Sequence, residues 1–220
     1  MSEKRGAEAR ALSREAIVAA AITLMERTGE AGFSLRKLGL HIGCDAMAVL
    51  YHFKSKEGLL RAMADALTAR LRPADRTAPW QDRLRWLALE YRRVALEHPQ
   101  TFALMGRFWT TGPSDVAHVE MVYGALEEAG FRGRRLVEAG HGWYAAVIGL
   151  AIAEAGGFLR TPRPEDIAEM ERHLDDRFGL TRQLLPEFRG LRADSSYRMT
   201  VDALLTGLRQ AAESQREAGE

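Results

Sequence analysis

The recurrence of apolar residues every three to four positions is the feature that most constrains the fold of this chain. Nearly every segment has this spacing, and none shows the apolar–polar alternation of a half-buried strand. In "SREAIVAAAITLMERTG", for example, Ile17, Leu24 and Met25 fall on one helical face, with Ser13 as the N-cap and Gly29 as the terminating residue. The pattern therefore predicts an all-α fold.

Cap residues divide the first third of the chain into short helices. Ser34 begins a second helix that ends at Gly43, Asp45 caps a third helix that runs to about Phe53, and Ser55 caps a fourth that continues to about residue 71. Longer helices are predicted at 80–97, 99–110, 114–129, 132–157, 164–177 and 194–216.

Composition and charge predict two domains with different partners. A chain of 220 residues, 46% of them hydrophobic, can bury two cores, and the polar, proline-bracketed segment "RPADRTAP" predicts a boundary between residues 1–72 and residues 73–220. Residues 1–72 carry twelve Lys and Arg against eight Asp and Glu, a net charge of +4, which leaves −3 for the rest of a chain whose total is +1. This asymmetry favours binding of a polyanion by the first domain.

The ends and the cysteine content predict a cytoplasmic protein. The start, "MSEKRGAEARALSREA", is charged and lacks the apolar centre of a signal peptide, and the single Cys44 allows no internal disulfide. The longest apolar run, "WYAAVIGLAIA", is about half of the roughly 20 residues that a membrane-spanning helix needs, so we expect a buried helix and no membrane contact.

The second and third helices have the lengths and the spacing of a helix-turn-helix. Gly43 supplies the tight turn because glycine tolerates a positive φ, and Asp45 caps the helix that follows. That helix and the residues after it, "DAMAVLYHFKSKEGLL", combine apolar, aromatic and basic side chains. An ordinary solvated amphipathic helix would also carry such residues, but the glycine turn, the two caps and the basic first domain favour nucleic-acid binding.

The stretch "GFSLRKLGLHIGCDAMAVLYHFKSKEGLL" resembles the tetracycline-repressor (TetR) family of bacterial transcriptional regulators. The shared pattern is a Ser/Thr-led second helix, a glycine turn, a recognition helix that ends in an aromatic-His-Phe run, and "SKEGLL" opening the fourth helix. The resemblance covers about residues 13–60, and beyond them only the number and length of the helices match. It implies an N-terminal three-helix helix-turn-helix DNA-binding domain, followed by a larger helical ligand-binding and dimerisation domain.

The same resemblance implies a set of DNA contacts. It places residues 45–53 in the major groove, where the first turn of that helix and Arg36 would read base edges and the polar side chains around it would hold phosphates. The implied DNA-binding residues are Ser34, Arg36, Ala46, Met47, Ala48, Tyr51, His52 and Lys56. Leu50 stands where the family usually has a phosphate-binding tyrosine, so that contact is absent here or passes to Tyr51.

A homodimer on double-stranded DNA is also implied by the family. Residues 140–157 and 196–212 are the candidate dimer helices, because they are apolar and contain the small residues Gly149, Ala153, Gly156, Ala203 and Gly207. The alternative is that these two helices pack only within one subunit.

Aromatic residues and methionines of the second domain are candidates for a small-molecule site. The predicted ligand-binding residues are Met105, Phe108, Trp109, Tyr123, His141 and Tyr144. They suit an apolar or aromatic effector, with His141 and Tyr144 as polar anchors one helical turn apart, although such residues also form plain cores. The resulting prediction is a repressor that a small effector releases from a palindromic operator. Activation of transcription stays an alternative, because an activator would use the same recognition helix.

Other functions have weaker support in the sequence. The motifs G-x-S-x-G, H-E-x-x-H and C-x-x-C and the P-loop are absent, so we predict neither an enzyme nor a cofactor. "ERHLDD" and "HVE" could chelate a divalent ion but are typical of solvated helix faces, and Cys44 fits packing of the turn better than a redox switch. A helical ligand-binding or scaffold dimer that binds no DNA is the main alternative.

Overall fold

The computed structural model describes residues 13–217 and confirms the all-α prediction. This part of the chain contains eleven α-helices, two 3₁₀ turns and no strand. The α-helices are α1 (Arg14–Gly32), α2 (Leu35–Ile42), α3 (Ala46–Phe53), α4 (Lys56–Thr68), α5 (Trp80–Glu97), α6 (Pro99–Phe102), α7 (Pro113–Ala129), α8 (Gly133–Ala155), α9 (Pro164–Arg172), α10 (Gly179–Phe188) and α11 (Ala193–Glu217). The 3₁₀ turns are Ala103–Gly106 and Asp176–Phe178.

The first four helices begin at the predicted caps. The hydroxyls of Ser13, Ser34 and Ser55 accept hydrogen bonds from the backbone of α1, α2 and α4, and the Asp45 carboxylate accepts one from the Met47 amide of α3 at 2.7 Å. Each bond satisfies an amide that has no partner within its own helix. Helices α1, α2 and α3 pack together around buried apolar side chains and form a three-helix head.

The end of α1 differs from the prediction. The helix was expected to stop at Gly29, whereas the structure places a kink there, with φ 64° and ψ 174°, and a further helical turn follows as far as Gly32. Glycine allows this backbone conformation without a steric penalty, so Gly29 redirects the helix rather than ending it. The Phe33 amide then closes the turn on the Glu30 carbonyl oxygen at 3.1 Å.

Helices α5, α7, α8 and α11 form the body of the molecule. Helix α5 packs against the other three, and α11 also lies on α8. Tyr91, Trp143 and Tyr197 are fully buried between these helices, and the Tyr197 hydroxyl donates to the Ala88 carbonyl oxygen at 2.7 Å. The core of the body is continuous with the core of the head, and it includes Leu67 of the linking helix α4 and Leu71 just beyond that helix.

Three helices of the body differ from the prediction. The expected helix 99–110 is broken into α6, a 3₁₀ turn and an irregular segment, because residues 110 and 111 hydrogen-bond to α4 instead of continuing a helix. The expected helix 164–177 stops at Arg172, and Asp175 caps a separate 3₁₀ turn. Helix α10 was missed because it contains Pro186, which was interpreted as a break.

Helix α8 is long and apolar enough, by length and composition, to cross a membrane. In this fold it buries one stripe, which includes Trp143, Val147 and Glu154, and the Glu154 carboxylate lies 2.6 Å from Arg92 Nη2. Its exposed surface carries small residues, among them Gly142 and Ala146. The expectation of a buried helix therefore holds for one face only.

Candidate nucleic-acid interface and internal cavity

Helix α3 presents one face to the core and the other to solvent. Val49 and Phe53 are buried, whereas the side chains of Met47 and Tyr51, one turn apart, are 68% and 86% exposed. Ala46 and Ala48 of the first turn are half-buried beside Met47. An exposed apolar and aromatic stripe on a short, tightly capped helix is suited to contact with the bases and sugars of a groove.

Basic and hydroxyl groups surround that exposed face. Arg36 and Lys56 are exposed, and the Lys56 ammonium lies 5.8 Å from the centre of the Phe33 ring, next to Ser34. The Ser34 hydroxyl accepts from the Lys37 amide at 3.2 Å and keeps its own proton for an outside acceptor. Arg36 has no ion pair among residues 13–214, so its guanidinium is available to a ligand outside the chain.

Tyr51 and His52 occupy the last turn of α3. The His52 ring is half-buried and meets the Tyr51 ring edge to face, with ring centres 5.6 Å apart. Seven of the eight predicted DNA-binding residues thus lie on α2, α3 or the N-cap of α2, and Lys56 is the first residue of α4. Their contacts with DNA stay a prediction.

A cavity of about 790 Å³ lies in the body between α7, α8 and the segment that precedes α7. All six predicted ligand-binding residues line it: Met105, Phe108, Trp109, Tyr123, His141 and Tyr144. At its mouth the Trp109 indole, 84% exposed, donates to His141 Nε2 at 2.7 Å. A volume of this size holds a drug-sized molecule, although the role of these residues as ligand contacts stays a prediction.

The inner wall of the cavity is formed by two tyrosines. The Tyr91 and Tyr144 rings meet edge to face at 6.3 Å, and the buried Tyr144 hydroxyl has no hydrogen-bond partner within the described part of the chain. Burial raises the pKa of both phenols, and the negative charge of nearby Asp115 adds to the effect, so both hydroxyls stay protonated at neutral pH. The polar neighbour of the Tyr144 hydroxyl is the Tyr91 phenol, which interacts with it and contributes to its raised pKa.

Helix α4 connects the head to the cavity wall through direct side-chain contacts. The Asp65 carboxylate accepts from the Ser114 amide at 2.9 Å and from the Ser114 hydroxyl at 3.2 Å, which binds α4 to the N-terminus of α7. Arg61 donates to the Thr110 carbonyl oxygen at 2.9 Å and stacks on Phe108, 4.7 Å from its ring centre. A displacement of this wall therefore acts directly on the helix that carries the head.

Comparison with protein-family models assigns both halves of the chain. Residues 72–212, more than half of the sequence, match the tetracyclin repressor-like C-terminal domain, and residues 17–63 match the bacterial regulatory proteins of the tetR family.

The chain belongs to the TetR family.

Individual relatives agree with this family assignment. An HTH-type transcriptional regulator of Saccharopolyspora erythraea is 33% identical over 70% of this chain and 65% of its own length, and the class D tetracycline repressor protein of Escherichia coli is 34% identical over 40% and 41%. The chain thus spans less than two thirds of these relatives. The crystal structure of a Streptomyces coelicolor A3(2) putative transcriptional regulator superimposes with a TM-score of 0.74 at 28% identity, covering 91% of this chain and 98% of the other.

Within this TetR-family head, sequence reasoning missed Arg14. Its Nη1 donates to the His52 carbonyl oxygen at 2.5 Å, and its guanidinium lies 4.3 Å from the centre of the Phe53 ring. A cation at the C-terminus of a helix is favourable, so Arg14 fixes the last turn of α3 from the start of α1. Thirty-eight residues separate the partners, and no local pattern could have revealed the pair.

Asp65 and Asp115 were also missed. Each is one of several acidic residues on its helix, and only the fold brings Asp65 to the N-terminus of α7 and Asp115 to the wall of the cavity.

The redox and metal alternatives find little support in the TetR-family fold. Cys44 is half-buried against the core, and burial, followed by the negative charge of Asp45, raises the pKa of its thiol, which disfavours the reactive thiolate. His173 contacts Glu169 at 3.0 Å on an exposed face of α9, and no group of three His, Cys, Asp or Glu side chains in the described residues could hold a metal ion.

Proposed function

We propose that this chain is a ligand-responsive DNA-binding transcriptional regulator, a cytoplasmic homodimeric repressor that a small apolar or aromatic effector releases from a palindromic operator. Residues 1–72 would form the DNA-binding domain and residues 73–220 the ligand-binding and dimerisation domain. The observation that carries the proposal is the exposed stripe of α3, held between two capped turns and flanked by Arg36 and Lys56, which form no ion pair within residues 13–214. Membership in a family of bacterial regulatory proteins supports it.

Regulation would follow from the contacts of α4. An effector in the cavity would displace the segment before α7, and Asp65 and Arg61 would carry that movement to α4 and hence to the two recognition helices of the dimer. The effector must then bind the DNA-incompetent conformation more tightly, and operator DNA must weaken effector binding by the same factor. Equal effector affinity with and without operator would contradict this mechanism.

The DNA-binding half of the proposal can be tested without knowing the operator. Purified full-length protein is incubated with a random pool of double-stranded DNA, bound sequences are enriched, and affinity for the product is measured by fluorescence anisotropy over a salt series. We expect a palindromic sequence with a steep salt dependence, because phosphate contacts release counterions.

Two substitutions separate phosphate contacts from base reading. Lys56→Ala should weaken all sequences alike and reduce the salt slope by about 1, whereas Arg36→Ala should cost about 1–3 kcal/mol of discrimination at one base pair. Arg134→Ala, at an exposed site on α8 in the body, is the matched control and should change neither. Failure to enrich any sequence at low salt would refute DNA binding and leave the helical ligand-binding dimer as the function.

A further inference from the structure

Within residues 13–214, Asp115 is the one charge on the cavity wall that no neighbouring charge neutralises. Two charged residues line the cavity, Arg107 and Asp115. Arg107 Nη2 lies 2.6 Å from Glu30 Oε1, so its charge is already paired. The half-buried Asp115 forms no ion pair among the described residues, and the hydrogen bond that its carboxylate accepts is a long one, 3.4 Å from the Thr111 amide.

The helix N-terminus does not by itself account for this carboxylate. Asp115 lies in the first turn of α7, where an acidic residue is favourable, but Asp65 already binds the free amide of Ser114 at that terminus. His118, one turn further along α7, does not neutralise Asp115 either, because burial lowers the pKa of its imidazole and Asp115 opposes that shift only in part.

The remaining wall of the cavity is aromatic and polarisable. Tyr91, Phe108, Trp109, Tyr123 and Tyr144 contribute rings, and Met105 contributes a thioether. Aromatic faces attract a cation through their quadrupole, most strongly where water is excluded. An anion gains no such attraction from the ring faces, and the negative charge of Asp115 would also repel it.

We propose that the effector of this regulator is an organic cation, a molecule with an apolar or aromatic body and one positive charge that pairs with Asp115 inside the aromatic walls. The inference rests on the proposed function, since it names the chemical class of ligand for the same cavity. The Tyr144 hydroxyl, which has no hydrogen bond of ordinary geometry in the described part of the chain and has the Tyr91 phenol beside it, can turn to a polar group of the same molecule.

The test compares two ions of the same shape and opposite charge. Tetraphenylphosphonium and tetraphenylborate both carry four phenyl groups, and their affinities for the full-length protein can be measured by isothermal titration calorimetry and by quenching of the exposed Trp109. We expect the cation to bind at least about tenfold more tightly than the anion. Equal binding, tighter binding of the anion, or no binding of the cation would each overturn the inference.

Substitutions then locate the charge. Asp115→Asn should weaken tetraphenylphosphonium binding by about tenfold, and Asp115→Glu, which keeps the charge, should preserve most of the affinity. Glu120→Gln removes an exposed carboxylate of the same helix outside the cavity and should have no effect. An unchanged affinity in Asp115→Asn would overturn the assignment, and the comparison of the two ions in the unmodified protein does not depend on how well any variant folds.

The enriched operator distinguishes this inference from the function on which it rests. If the protein binds operator DNA but prefers the anion, the cation inference fails and the regulator stands. If the cation binds in an Asp115-dependent way and no DNA sequence is enriched, the regulatory function fails while the cation site stands.

Discussion

Glu90 lies in the core with only 3% of its surface exposed and binds two arginines from different segments. Arg72, just beyond α4, reaches it through its amide and its guanidinium, with Nε 3.0 Å from Glu90 Oε1, and Arg93 of α5 approaches to 2.8 Å. Burial alone would raise the pKa of Glu90, but the hydrogen bonds from Arg72 and Arg93 outweigh it and lower the pKa to about 2. This cluster fixes the end of the linking segment on the body.

Glu90→Gln should destabilise the fold by about 2 kcal/mol at pH 7, because it leaves two arginines without their buried counter-charge. The folded-state pKa is below the ordinary value of 4.5, so the stabilisation is complete above that pH and is lost as the pH falls towards 2. Urea denaturation followed by circular dichroism should show the difference between the two proteins shrink over this range. Glu97→Gln, which removes an exposed partner of Arg93, is the control and should cost less than about 0.5 kcal/mol. A difference that does not change with pH would contradict the assignment.

Single residues were predictable from sequence where the cause is local. The caps at Ser13, Ser34, Asp45 and Ser55 were all predicted, since a cap depends on residues two or three positions away. Arg14 and Glu90 could not be assigned a role, because their partners are distant in the chain and their side chains resemble those of solvated helix faces.

At the scale of elements, α3 is held at both ends by glycines that touch backbone atoms. A Cβ on Gly39 would lie 2.6 Å from the Cys44 carbonyl oxygen, and a Cβ on Gly58 would lie 2.2 Å from the Phe53 carbonyl oxygen. Both distances are too short for a real contact, and backbone cannot rotate away as a side chain can. The helices before and after α3 can approach it this closely only because these two residues are glycine.

Gly39→Ala and Gly58→Ala should each move α3 relative to its neighbours and destabilise the fold by about 1–3 kcal/mol, since they overpack a tight contact. The affinity of both variants for operator DNA should also fall, and by more than the smaller fraction of folded protein would explain. Gly124→Ala, where a Cβ meets nothing within 4 Å on α7, is the control and should be neutral or stabilising by up to about 1 kcal/mol. Operator binding that stays normal in folded Gly39→Ala would show that the position of α3 tolerates the change. The measurements are thermal denaturation and fluorescence anisotropy.

The elements themselves were predicted well where the apolar period is long, as in α5, α7, α8 and α11. The failures lie where tertiary contacts override the local signal. Gly29 kinks α1 without ending it, and residues 110 and 111 bond to α4 in place of a helix. The six cavity residues were identified by residue type, whereas their enclosure around one volume depends on this irregular segment, which no periodicity specifies.

At the scale of the whole molecule, α8 and α11 expose the small residues that a second subunit would cover. A Cβ added at Gly142 or Gly207 meets nothing within 4 Å, and Ala146 and Ala203 are also exposed, whereas Gly149 borders the cavity. Helices with small residues outward can approach a copy of themselves closely, so this surface is the one on which we place the proposed two-fold interface.

Gly207→Trp should therefore convert the protein to a monomer without unfolding it, because the added side chain enters the proposed interface and not the core. Sedimentation velocity would report the mass, and circular dichroism the fold. Loss of the second recognition helix should weaken operator binding by about a hundredfold or more. Gly124→Trp, at an equally open site on α7, should remain a dimer. A dimeric Gly207→Trp would place the interface elsewhere.

The contacts of α4 limit how this molecule can be divided and recombined. Asp65 supplies the cap that α7 does not find in its own sequence, and Thr68 pairs with Thr111 at 3.2 Å on the same wall. A chimera joined in the proline-rich segment after residue 72 would exchange these groups for those of a foreign head and leave the cavity wall unsupported. A junction before Lys56 would keep these groups with the cavity but would break the packing of α4 on α1 and α3, including the close approach of Gly58 to the Phe53 carbonyl oxygen. The linking helix must therefore match both halves of any recombined protein.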